Sequence, residues 1–229
     1  MPTVLITGVN RGLGLEFITQ YAAAGWSVIG TCRDPSSASE AQAVVASAGN
    51  VTLYQLDVSE PEAVKALAET LKGTSIDVLI LNAGLMAERT GLGTFNAEDF
   101  LQVLNVNVVA PAIFIQAFAD HVAASERKII VGMGSTLGSI AGNTSGGMYS
   151  YRSSKAGLHA IMRTASVDLR DKGVTAIAMH PGWVVTDMGG DGADIRTSES
   201  ISGMMSVIDG LSISDSGRLL TYAGEELPW

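Results

Sequence analysis

Tyr151 and Lys155 stand four residues apart in a Tyr-Arg-Ser-Ser-Lys run. On a helix that spacing puts both side chains on one face, with Cβ atoms roughly 5–6 Å apart. An ammonium held beside a phenol favours the phenolate, turning a very weak acid into a usable proton donor and acceptor. A phenol ordinarily has a pKa of about 10, so work near neutral pH asks for roughly 3–4 kcal/mol. One cation about 4 Å away in a partly screened site supplies about 4 kcal/mol, which is the right size. Near the start of the chain lies Thr7-Gly8-Val9-Asn10-Arg11-Gly12-Leu13-Gly14. Glycines in such a turn let the backbone come close to a pyrophosphate, which also gains from an exposed helix N-terminus. A proton relay beside a nucleotide cradle reads as hydride-transfer chemistry.

Positioning these groups takes a layered α/β fold. Short, nearly continuous apolar runs at 3–7, 27–31, 51–56, 78–81, 128–133, 174–180 and 217–222 read as parallel strands covered on both faces. Helical patterns fall between them, near 12–24, 36–48, 60–72, 97–124, 148–171 and 198–210, with a break expected before Pro111. Alternation of this kind predicts right-handed crossovers and a doubly wound parallel sheet of about seven strands with helices on both faces. No linker or repeat interrupts the chain, so residues 1–229 read as one domain. Stretches 138–147 and 189–198 read as loops at the strand ends where such sheets bind ligands.

The glycine turn follows an apolar strand and opens an amphipathic helix, the context that gives a glycine pattern its meaning. At the end of the second strand stand Thr31-Cys32-Arg33-Asp34. A carboxylate there would accept from the adenosine ribose hydroxyls of NAD. Spacing from Gly14 puts Cys32 at that position, and a thiol cannot do this. Arg33 and Arg11 can instead pair with a 2′-phosphate, which favours NADP(H) over NAD(H). A shift of register would make Asp34 the ribose carboxylate and Arg33 a solvated surface residue. Asp57-Val58 and Asn82-Ala83-Gly84 close the third and fourth strands, where they can touch adenine and ribose or simply form turns.

Bulk properties narrow the function classes. A length of 229 residues, 47% of them hydrophobic, suits a sizeable core. Net charge is −9 with no basic run, which argues against nucleic-acid partners. Cys32 is the single cysteine, so no internal disulfide forms and a reducing, cytoplasmic setting is expected. A strand from residue 3 leaves no leader, and the apolar stretches look too short for a membrane span. His121, His159 and His180 share no ligand spacing, so no metal site is expected. Ser135 lacks a Gly-x-Ser-x-Gly elbow, which weakens a hydrolase reading. The nine methionines suggest adaptable packing, with Met133, Met148 and Met188 placed to line a substrate wall.

Taken together, the 7–14 turn, Asn82-Ala83-Gly84, Asn107, Ser135, Tyr151-x-x-x-Lys155 and Pro181-Gly182 resemble the short-chain dehydrogenase/reductase family over essentially the whole chain. Gly134-Ser135-Thr136-Leu137-Gly138-Ser139, Pro181-Gly182-Trp183-Val184-Val185-Thr186-Asp187-Met188 and the Leu227-Pro228-Trp229 ending resemble its C-factor-like, carbonyl-reductase-like subgroup. The resemblance implies a Rossmann-type domain that reduces a carbonyl to an alcohol, or the reverse. It implies Tyr151 as general acid and base, Ser135 on the same carbonyl oxygen, and Lys155 on the nicotinamide ribose. It also implies that Asn107 helps hold a water beside Lys155 and that Thr186 contacts the carboxamide. Expected cofactor contacts are Gly8, Asn10, Arg11, Gly12, Leu13, Gly14, Arg33, Asp57, Val58, Asn82, Ala83, Gly84, Pro181, Gly182, Val184 and Thr186, with Tyr151 and Lys155. Tyr149 competes with Tyr151 but lacks the i+4 lysine, and Asn105 competes with Asn107. Ala110 and Leu81 depart from the family pattern, where Gly and Asn are usual. Substrate choice is assigned to 137–148, 183–198 and the region of Trp229, which suit an uncharged aldehyde, ketone or quinone. A homodimer or tetramer through the helices near 97–124 and 148–171 is the implied assembly. A dinucleotide-binding regulator without turnover is the rival reading.

Overall fold

The structure, a computed structural model, describes residues 1–87, 92–190 and 192–229; residue 191, within the expected 189–198 loop, lies outside them. Its sheet comprises β1 (Thr3–Thr7), β2 (Ser27–Cys32), β3 (Val51–Gln55), β4 (Val78–Leu81), β5 (Ile129–Met133), β6 (Thr175–His180) and β7 (Leu219–Thr221). All pairings are parallel, in the order β3-β2-β1-β4-β5-β6-β7. Helices α1 (Gly12–Ala23), α2 (Ser39–Ala48), α3 (Pro61–Thr70), α4 (Ala97–Leu104), α5 (Ala110–Ala123), α6 (Tyr149–Asp168) and α7 (Thr197–Asp209) make the connections. The chain winds outward from β1 through β2 to β3, then returns to β4 at the other side of β1. That reversal opens a crevice at the carboxyl ends of β1 and β4, the place where open parallel sheets take ligands.

The strands read as unbroken apolar runs because successive side chains feed two different cores. Val4 and Ile6 of β1, Val78 and Ile80 of β4, and Ile177 and Met179 of β6 pack with Phe17, Ile18, Ala41, Ile201 and Met204 of α1, α2 and α7. Their neighbours Leu5, Leu79, Leu81, Ala176 and Ala178 face α3, α5 and α6, packing with Val64, Leu67, Phe114, Phe118, Leu158 and Met162. An alternating residue in one strand thus decides which helix layer it holds.

Two expectations about the middle of the chain are corrected. No break precedes Pro111: α4 and α5 run on through a π-helical turn, Asn105–Val109, in which the Ala110 N–H reaches back to the Asn105 carbonyl. The wider turn relieves the clash that a proline makes with the carbonyl four residues back, and Pro111 falls in the first turn of α5, where its missing N–H matters least. Nor are all apolar stretches strand-length. The Ala97–Ala123 helix is long and apolar enough, by length and composition, to cross a bilayer. In this fold it lies along the sheet, with Val103, Phe114, Phe118 and Val122 buried. Elsewhere the differences are at element ends. The last strand is shorter than expected because Gly217 takes a left-handed turn (φ 86°) before it.

Phe118 is fully buried and stacks on Phe114, with ring centroids 5.6 Å apart. Phe118→Ala is expected to destabilise the fold by about 3–5 kcal/mol. A urea titration checks this as a fall in midpoint at unchanged slope.

Candidate active site

At the nucleotide end, the turn after β1 is built around two glycines. Gly8 has φ 72°, and a Cβ there would come 3.0 Å from the Ala83 Cα. A methyl at Gly14 would collide with the Gly8 carbonyl and sit 2.7 Å from Asn82 Nδ2. The turn is therefore folded too tightly for any side chain at either position. No side chain caps α1 and no acid occupies its first turn, so its leading N–H groups are left for an anion. Gly12 faces the other wall of the crevice: a Cβ there would lie 3.7 Å from Thr186 Cγ2. A narrow, glycine-lined cradle at a bare helix N-terminus fits a dinucleotide pyrophosphate.

Asn82 braces the cradle from the β4 side. Its Nδ2 donates to the Thr7 and Gly8 carbonyl oxygens at 2.8 and 3.1 Å. Ala83 N donates to Thr7 Oγ1 at 2.9 Å. Asn82 thus ties β4 to the glycine turn and shapes the cradle. Arg11 spans the crevice. Its guanidinium pairs at 2.6 Å with Asp187, from the loop after β6, across the mouth of the crevice.

At the end of β2, Cys32 is buried and packs in the core with the residues of α1 and α2. Arg33 is exposed, and its charge helps hold the Asp57 carboxyl below the usual range, behind the larger effect of the Ser59 hydroxyl. Asp34 is turned into its own loop, where its Oδ1 accepts from Ser36 N and Ser36 Oγ at 2.9 and 2.6 Å.

The chemical end gathers residues from four segments. Lys155 is 6% exposed and donates to the Met133 carbonyl at 2.7 Å. Its Nζ lies 5.5 Å from the centre of the Tyr151 ring, as the shared helix face requires. The Tyr151 hydroxyl meets Met188 Sδ at 4.0 Å. Ser135 ends the β5 segment, and its Oγ accepts from Leu137 N at 3.1 Å. Gly84 closes the group from the β4 side: a Cβ there would lie 3.6 Å from Asn107 Oδ1 and 3.7 Å from Lys155 Nζ. Tyr149 is exposed and tilts against Phe95, away from this arrangement of hydrogen bonds.

Three more of the expected residues have defined surroundings. The Asn107 side chain is fully engaged, accepting from Leu85 N and donating to Leu85 O and Ser154 Oγ at 2.8, 2.7 and 2.9 Å. It stitches the π-turn to α6 and to the loop after β4. Thr186 is likewise bonded within its loop, donating to Val184 O and accepting from Gly189 N. Met133 is buried in the core, whereas Met148 is half-buried and Met188 is exposed beside the Tyr151 hydroxyl.

Electrostatics also depart from the simple pair. Burial pushes the Tyr151 hydroxyl up to about 12, opposed in part by its hydrogen bond with Ser135. Burial pushes Lys155 down to about 8. The lysine's pull on the phenol, expected to dominate, is outweighed by the loss of water around both groups. Sequence spacing gave no sign of the two histidines that come in behind them. Among the described residues no group of three or more His, Cys, Asp or Glu could hold a metal ion.

His159 and His180 are each held down to about 4, by burial first and then by the charge of Lys155. In the unfolded chain an imidazole has a pKa of about 6.5, so between the two values the unfolded state binds more protons. Stability should therefore fall as pH drops from about 6.5 to about 4, and His180→Gln should lessen that fall. Urea midpoints measured across this window check it; an unchanged pH slope in the variant would refute the assignment.

A sequence profile of the short chain dehydrogenase family matches residues 2–195. The C-signal protein of Myxococcus xanthus is 38% identical over 165 residues, covering 72% of this chain and 99% of the relative. The carbonyl reductase Sniffer of D. melanogaster superposes with a TM-score of 0.94 at 31% identity, over the whole of both chains. A carbonyl reductase from chicken fatty liver, solved with NADPH bound, gives 0.94 at 35% identity, over all of this chain and 99% of the other. With the parallel sheet, the glycine cradle and the Tyr151–Lys155 face already in place, this protein belongs to the short-chain dehydrogenase family of oxidoreductases.

Proposed function

We propose that this chain is an NADP(H)-dependent reductase that converts an uncharged aldehyde, ketone or quinone to an alcohol, or runs the reverse. The observation that carries the reading is the convergence of Tyr151, Ser135 and Lys155 beside a glycine cradle at the sheet's switch point. Bound in that cradle, a reduced nicotinamide supplies the hydride. Tyr151 gives its hydroxyl proton to the carbonyl oxygen as that oxygen gains negative charge, and Ser135 hydrogen-bonds the same atom. A neutral phenol at about 12 is well protonated for this donation. Lys155, at about 8, is the stronger acid of the two, so returning a proton toward the tyrosinate is downhill. Lys155 and Tyr151 also lie where the nicotinamide ribose would be held, with Pro181, Gly182, Val184 and Thr186 closing that side.

The cofactor preference rests on the end of β2. Cys32 is buried, Asp34 is occupied by Ser36, and Arg33 makes no ion pair or hydrogen bond with other described residues, which leaves it for a 2′-phosphate. The NADPH-bound chicken carbonyl reductase supports the same choice. Exposed Ile140, Tyr149, Trp183, Val185 and Met188 give the segments flanking Tyr151 an apolar rim, which favours a substrate without charge. Exposed Leu101, Val109 and Val167 on α4 to α6 suit a homo-oligomer, and the lone reduced Cys32 suits the cytoplasm.

The similarity to a protein named C-signal favours one rival, a signalling role with little turnover. Tyr151→Phe separates the two. Reduction of a generic dicarbonyl should fall by roughly 10²–10⁴-fold while NADPH still binds. Wild-type protein that binds NADPH yet turns over nothing in a broad carbonyl panel would favour signalling. For the cofactor, Arg33→Ala should weaken NADPH by roughly 10–100-fold and leave NADH nearly unchanged, as titration of cofactor fluorescence reads directly. Equal losses for both would defeat the assignment.

A further inference from the structure

Ser135 is held from behind by a residue that never reaches the crevice. Its main-chain N–H donates to His159 Nε2 at 3.2 Å. His159 lies on α6 one turn past Lys155 and two past Tyr151, on the same face of the helix, and is 3% exposed. The turn around Ser135 is moulded to the imidazole. A Cβ at Gly134 would fall 2.7 Å from Nε2, and one at Gly138 would fall 2.6 Å from Cε1. Because Nε2 accepts, the ring proton of the neutral imidazole sits on Nδ1, which is buried with no hydrogen-bond partner among the described residues.

Trp229 covers this ring. Its indole meets His159 edge-on, with centroids 5.5 Å apart and planes at 62°. The Trp229 main-chain oxygen accepts from Ser139 Oγ at 3.1 Å and Ala141 N at 3.4 Å. Ser139 Oγ in turn accepts from Gly142 N at 3.1 Å. Segment 135–142 is therefore pinned at one end by His159 and farther along by Trp229, and the two pins touch each other.

We propose that His159, seated beneath Trp229, is a positioning residue that fixes the direction in which Ser135 presents its hydroxyl to Tyr151 and the substrate carbonyl. The inference rests on the reading of Ser135 given above. Without an acceptor at His159 the buried Ser135 N–H is orphaned, and the turn must shift to find another partner. Displacement of a catalytic group by about 1 Å is enough to slow a reaction severalfold to a hundredfold. Substrate and cofactor never touch His159, so the loss should fall on turnover and not on binding.

The test compares purified His159→Phe, His159→Gln, Trp229→Ala and Ser135→Ala with wild type. His159→Phe keeps a ring and removes the acceptor; its kcat should drop roughly ten- to a hundredfold, with KM for the carbonyl and Kd for NADPH nearly unchanged. His159→Gln retains an acceptor and should recover most of the loss, and Trp229→Ala should show a smaller fall of the same kind. In the His159→Phe variant the alkaline limb of the kcat profile should move to higher pH, because the Ser135 bond that helps ionise Tyr151 is weakened. A purely structural role would not move that limb. Wild-type kcat in His159→Phe beside an inactive Ser135→Ala overturns this inference alone. An active Ser135→Ala overturns the reading of Ser135 and the inference with it. Should His159→Phe fail to fold, Trp229→Ala decides: wild-type turnover there overturns the proposal.

Discussion

Lys155 carries its ammonium into a place where burial works against the charge and, among the described residues, no carboxylate offsets it. A buried cation is disfavoured by several kcal/mol, and among the described residues the compensation is a short bond to the Met133 carbonyl at the end of β5. Much of the surrounding architecture answers to that one charge. It adds to burial in holding His159 and His180 neutral, and it puts an acid of pKa about 8 beside a phenol of about 12. A cation that is poorly solvated by the protein is a cation ready to interact with whatever enters the crevice.

That arrangement needs α6 fixed against β5 to a fraction of an ångström. The fixing comes from two directions. Leu158, Met162 and Ala165 lock the helix into the core beneath the sheet. At its open end, Asn107 in the π-turn bonds Ser154 on one side and the Leu85 backbone on the other. The π-turn is thus a tertiary joint: widening the helix by one residue lets the following proline sit comfortably and turns Asn107 inward. The same logic governs the nucleotide end, where Asn82 spends its amide on the glycine turn so that the cradle keeps its shape without a ligand. Both asparagines help build the frame of the crevice.

The mouth of the crevice is organised differently. The Arg11–Asp187 pair is exposed on both sides, so water and salt screen it and its contribution to stability is small. Its interest is geometric, since it joins the glycine turn to the segment that carries Met188 and flanks Tyr151. The isolated bridge Val184↔Ile195 and the bond from Trp183 Nε1 to Gly189 O give that segment an internal scaffold of its own. A rim that is braced within itself and tied only lightly to the cradle is suited to ligand exchange.

Local periodicity was enough to read the strands, because runs such as Val78–Leu81 serve two cores and so stay apolar at every position. It was enough, too, for the shared face of Tyr151 and Lys155, since a four-residue step on a helix is a local quantity. What local pattern cannot carry is pairing between distant segments. Arg11 with Asp187, Asn82 with Thr7 and Lys155 with Met133 are separated by 176, 75 and 22 residues, and each pairing fixes a side chain in a way its type alone does not show. His159 was passed over because its meaning depends on Ser135, Gly134, Gly138 and Trp229 arriving around it in space. Residue types and spacing determined which chemistry the chain could support; long-range packing decided which groups face the crevice, which hold them there, and how far burial shifts their proton affinities.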